Sequence, residues 1–64
     1  RNQLRGKVTE IRKGQVAASV KVDVGGGNTV TSVITVEAVN DLGISEGSEV
    51  TTVIKASDVM VSTE

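Results

Sequence analysis

Two short segments at opposite ends of the chain hold the side chains best suited to chemistry. One is Arg1-Asn2-Gln3-Leu4-Arg5-Gly6; the other is Val53-Ile54-Lys55-Ala56-Ser57-Asp58-Val59-Met60. Each sets a cation beside small polar groups and backbone donors, and together they could form a socket for a small oxyanion. The guanidinium of Arg1 offers several donors in a fixed fork, suited to a charged tetrahedral group. An arginine at a chain end is equally at home in solvent. Lys55, the Ser57 hydroxyl and the N–H groups around Ala56 can converge on the same anion, because the small Ala56 side chain lets it approach the backbone. Taken alone, Lys55 also reads as a solvated lysine at a strand end. Burying a doubly charged anion demands this kind of dense donor set, since an unpaired buried charge is very costly. Thr35 is the remaining candidate. It suits the N-cap of a helix, and it can also direct a donor at an anion; the two roles are compatible.

Other chemistries find little support. The chain has no Cys and no His, which removes disulfides, thiolate metal sites, the commonest zinc ligand and the usual general base. Its eight carboxylates are scattered, and no pair suggests acid–base catalysis. No hydroxyl has an evident base to activate it. Gly25-Gly26-Gly27 lacks the Lys-Ser/Thr of a phosphate-binding P-loop and reads as a hairpin turn. The sequence gives no positive sign of an enzyme. Seven basic residues against eight acidic give a net charge of −1, which argues against a nucleic-acid-binding stripe. The absence of Phe, Tyr and Trp removes the stacking platforms of single-strand binders. No apolar run approaches the roughly 20 residues of a membrane span. No signal peptide is evident, so the expected compartment is the cytoplasm.

The elements that must position these residues are mainly strands, because valine dominates with Thr and Ile in support. Strands are expected over about 4–12, 15–24, 29–35 and 49–57, with a short one over 59–61. In the second, Val16, Ala18, Val20, Val22 and Val24 alternate with Ala17, Ser19, Lys21 and Asp23. Between the third and fourth strands the period changes. Val36, Val39 and Leu42 are spaced for a short helix capped by Thr35 and stopped by Gly43. This order matches a small all-β, five-stranded Greek-key barrel of the OB type, with one short helix between the third and fourth strands. Val33 and Val53 fall on otherwise polar faces, which suggests that a partner covers part of the outer surface.

A single domain of 64 residues is marginal alone. With disulfides and aromatic core residues absent, association between subunits is the expected support.

The opening Arg1-Asn2-Gln3-Leu4 with Gly6-Lys7-Val8 resembles that of the molbindin, or Mop, family. The segment Val53 to Met60 resembles the family's closing signature. Gly25-Gly26-Gly27, Thr35, Leu42-Gly43-Ile44 and Glu46-Gly47 fall between them in the family's order, so the resemblance covers essentially residues 1–64 as one TOBE-type domain. It implies an OB-like barrel assembled as a homohexamer, a trimer of dimers, with the main anion site between subunits. It implies molybdate, and usually tungstate, as ligand, held by hydrogen bonds without metal coordination by the protein and without a catalytic cofactor. The matching ligands would be Arg1, Thr35, Lys55, Ala56 through its backbone, and Ser57. Ala38 stands where many members carry a small hydroxyl residue. The implied role is cytoplasmic storage of the anion, with no nucleic acid or membrane as partner. The alternative is a molybdate-sensing module of a larger transporter ATPase or transcription regulator.

Overall fold

A computed structural model describes residues 1–63. Strand β1 (Asn2–Lys13) leads to β2 (Ala17–Gly25) and β3 (Asn28–Thr35). Helix α1 (Val36–Leu42), strand β4 (Glu49–Ile54) and a single 3-10 turn at Ala56–Asp58 follow. The strands form one antiparallel sheet in the order β3-β2-β1-β4. The all-β class and the position of the helix are those read from the sequence. The strand count is not. The ladder of β4 ends at Ile54, short of Ser57, and residues 59–61 form no strand. The N–H groups of Asp58 and Val59 donate locally to the carbonyls of Lys55 and Ala56, which turns the chain off the sheet. Four strands therefore make an open sheet where a closed five-stranded barrel was expected.

Alternation along β2 does what its period requires: Ala18, Val20 and Val22 are buried. They pack with Val8 of β1 and Val39 of α1 into a small core, with Ile11, Val24, Ile34, Val36, Ile44 and Val50 around it. Two apolar positions depart from the sequence reading. Val16 lies before β2 begins and is 74% exposed. Leu42, expected on the buried helix stripe, is 67% exposed because it faces the open mouth of the sheet.

The helix is framed as its sequence suggests. The Thr35 side chain accepts a hydrogen bond from the Ala38 N–H at 3.0 Å. Gly43 takes the left-handed conformation, φ 66°, that ends the helix. In the β2–β3 hairpin, Gly26 and Gly27 both have positive φ, as a two-residue turn of the primed kind needs.

Strand β1 serves two partners in succession. Asn2 to Lys7 pair with β4, and Lys7 to Lys13 pair with β2. A bulge between Val8 and Glu10 marks the change. Gly6 sits at this handover, where an added Cβ would run into the Asp23 carbonyl and lie 2.7 Å from a Val22 methyl. The first residues of β1 and the last of β4 thus form a two-stranded arm beyond the end of β2.

Candidate functional site

The arm places the two end segments together. Asn2 pairs with Ile54, so Arg1 and Lys55 flank the last rung of the β1–β4 ladder. Ala56 and Ser57 follow in the 3-10 turn. All four residues are exposed. Two cations, a hydroxyl and backbone N–H groups therefore gather at one tip of the molecule. The carboxylate of Asp58 belongs to the same turn.

Thr35 is elsewhere. It pairs with Ala17 at the start of β2, whose neighbour Ala18 pairs with Lys13 at the far end of β1. A strand of 12 residues rises about 3.3 Å per residue, so its ends lie up to about 36 Å apart. The longest dimension of the whole molecule is 36 Å. Hydrogen bonds span about 3 Å, so one small anion cannot touch Thr35 and Lys55 of the same chain. Of the five residues singled out in the sequence, one chain brings together Arg1, Lys55, Ala56 and Ser57, and leaves Thr35 apart.

The chemistry available at Thr35 is narrower than its two candidate roles suggested. Its Oγ1 accepts from the Ala38 N–H, so the cap role is filled. The hydroxyl proton is still available to donate outward. The residue is exposed and lines a shallow depression with Gln15, Val16, Val36, Glu37, Asn40 and Asp41. The acidic members of that lining disfavour an anion held by this end alone.

A second cleft, near the β1 handover, was not apparent in the sequence. It is lined by Arg5, Gly6, Lys7, Asp23, Val24, Gly25 and Glu49. Lys7 stands opposite Asp23 on one side and Glu49 on the other. Cations and carboxylates there balance, which leaves no net attraction for an anion. Recognising this cleft requires the register of three strands, although a lone glycine inside a strand pattern was a signal of close backbone approach. On the outer face, Glu10 meets Arg12 at 2.9 Å and Lys21 at 3.5 Å. Arg12 first, then Lys21, holds the Glu10 carboxyl below its ordinary range, and Glu10 in turn raises Arg12. Among the described residues, no group of three or more His, Cys, Asp or Glu side chains could hold a metal ion. None of the described helices is long and apolar enough to cross a membrane.

An open antiparallel sheet with a capped helix before its last strand, and cations gathered at one tip, defines a small binding module. Residues 1–61 match the model of the TOBE domain family, and the chain belongs to that family. It is 51% identical over 61 residues to "Molybdenum-pterin-binding protein 3" of Clostridium pasteurianum, covering 95% of this chain and 90% of that protein. Its fold superposes on MopII of the same organism with a TM-score of 0.94 at 48% identity, covering 98% of this chain and 94% of the other. A molybdate-binding protein of Sporomusa ovata matches with a TM-score of 0.93 at 36% identity, covering 98% and 92%. The Mop resemblance carried by the two end segments therefore holds across nearly the whole chain.

Proposed function

We propose that this chain binds molybdate, and tungstate with it, at sites shared between copies of itself, and that it stores the anion in the cytoplasm without altering it. One observation carries the reading. Arg1, Lys55 and Ser57 meet at one tip of a fold shared with a protein whose own name states that it binds molybdate. The ligand is the oxyanion itself, since the chain has no Phe, Tyr or Trp to stack on a pterin ring. The anion keeps its oxygens and is held by charge-assisted hydrogen bonds from Arg1, Lys55, Ser57 and the N–H of Ala56. Thr35 supplies a further donor from a second chain, because its own chain holds it too far away. Sulfate has the same charge and shape, so discrimination against it falls to cavity size and donor spacing. A reading as an enzyme finds no base and no paired carboxylates to support it.

Calorimetric titration of molybdate into the wild-type protein and Lys55→Ala tests this reading. A hydrogen bond to a charged group contributes about 1.5–3 kcal/mol, so affinity should fall by roughly 10- to 150-fold. Equal affinities would remove Lys55 from the site. Absence of binding by the wild type would remove the function.

A further inference from the structure

The depression around Thr35 carries more negative charge than its helix has use for. Glu37 and Asp41 line it together with Thr35 and Asn40. Both carboxylates are exposed, and neither enters an ion pair among the described residues. They stand four positions apart on α1, which sets them on one helix face. Like charges at that spacing repel and weaken a helix. Glu37 has a compensation, since the first turn of a helix favours a carboxylate. Asp41 has none. It lies in the last turn, where the carbonyl end of the helix disfavours negative charge and no basic residue offsets it. The described lining holds no Lys or Arg. Lys13 touches it from outside, donating to the Asn40 side-chain oxygen at 3.4 Å. Two carboxylates against one ammonium leave the rim negative.

Negative charge beside Thr35 is the reverse of what tight anion capture needs. We propose that Glu37 and Asp41 lower the affinity of the anion site, so that it fills when molybdate is plentiful and empties when it is scarce. The inference rests on the oxyanion reading above, which places Thr35 at the site. Both carboxylates sit on the chain that supplies Thr35, so they oppose the anion whichever chain supplies the cations. Thr35, Glu37 and Asp41 line one depression, and a helix rises only about 1.5 Å per residue. An anion on the Thr35 hydroxyl therefore stands within about 10 Å of each carboxylate.

Across about 10 Å of water, one negative charge lowers the affinity for a dianion roughly threefold at about 0.01 M ionic strength, where the screening length is about 30 Å. Two such charges lower it about sevenfold. At about 1 M salt the screening length is about 3 Å, and the effect vanishes. Charges at the rim act in this way, through association and its salt dependence, while the donors of the site stay as they are.

Calorimetric titration of molybdate into the wild type, Glu37→Gln, Asp41→Asn and the double variant tests the proposal at two ionic strengths. At about 0.01 M, each single variant should bind about threefold tighter than the wild type, and the double variant about sevenfold tighter. At about 1 M all four should bind alike. The substitutions keep size and polarity at exposed positions, and thermal unfolding should find Asp41→Asn at least as stable as the wild type. Glu49→Gln removes the same charge at the start of β4 and is the control; it should change affinity less than about twofold. A gain that is absent at low ionic strength, that persists at high salt, or that Glu49→Gln matches would overturn the proposal. Wild-type binding that the Glu37 and Asp41 variants leave unchanged removes this role and keeps the function. A wild type that binds no molybdate removes both.

Discussion

Replacing Gly6 by alanine should destabilise this protein more than its one added methyl suggests. The glycine lies where β1 passes from β4 to β2, and a Cβ there would strike the Asp23 carbonyl and approach a Val22 methyl to 2.7 Å. The carbonyl belongs to a β2 residue paired with β1, so it cannot rotate away. Inserting a group into a well-packed site costs about 1–3 kcal/mol, and a backbone obstacle places this case near 3. A chain of this length has in total roughly 3–10 kcal/mol of stability. For a domain of this size each kcal/mol moves the Tm by about 4–8 °C, so the melting temperature should fall by about 12–24 °C. Gly14→Ala is the internal comparison. Its Cβ would sit 3.1 Å from the Ala17 carbonyl in a connecting segment, a contact that a small shift relieves. That variant should lose less than about 1 kcal/mol, within the usual range for surface positions. Thermal unfolding by circular dichroism, at one fixed protein concentration, compares the three proteins. A Gly6→Ala protein melting within a few degrees of the wild type would show that β1 does not approach β2 at Gly6. The direction given to the arm would then fall with it.

Thr35 should show two separable effects. Thr35→Ala removes the cap on Ala38 N–H and should cost about 1 kcal/mol in unfolding experiments. It should also weaken molybdate binding, while Thr35→Ser, which keeps the hydroxyl, should restore both. A serine variant that restores stability but not affinity would leave Thr35 as a cap alone. Glu10 bears on acid sensitivity. Its carboxyl is lowered by Arg12 and Lys21, so its contribution is present above the ordinary glutamate range and is lost as pH falls through the lowered value. Denaturant titrations across pH should find Glu10→Gln slightly less stable at neutral pH and equal to the wild type in strong acid. A difference that persists in strong acid would contradict this ion pairing.

What could be read directly from the sequence was whatever depends on near neighbours. The alternation from Ala18 to Val22, the glycines of the β2–β3 turn, the Thr35 cap and the Gly43 stop are each set within a few residues. Each formed where its pattern placed it. The end of β4 was less legible. Val50 to Ser57 keeps period two throughout, but the ladder ends at the Asn2–Ile54 pair and the local hydrogen bonds of the Ala56–Asp58 turn carry the chain off the sheet. Leu42 fits a helix stripe, yet the stripe is buried only where the sheet has something to close against. The candidate site divides in the same way. That Arg1 lies beside Lys55 depends on a pairing across about fifty positions, which composition and spacing do not reveal. Thr35 is placed by other pairings, those of β3 with β2 and of β2 with the far end of β1, which set it at the opposite end of the molecule.

The direct test of a site divided between chains is complementation. Lys55→Ala and Thr35→Ala chains, each purified alone, should bind molybdate weakly at every site. When the two are unfolded together in equal amounts and refolded, some sites receive the intact Lys55 of one chain and the intact Thr35 of the other. Random pairing across a two-fold interface puts this fraction at about one quarter. Calorimetry of the mixture should therefore recover wild-type affinity at about a quarter of the wild-type number of sites. A mixture that binds no better than either variant alone would contradict the account, because the anion would then be held by groups of a single chain.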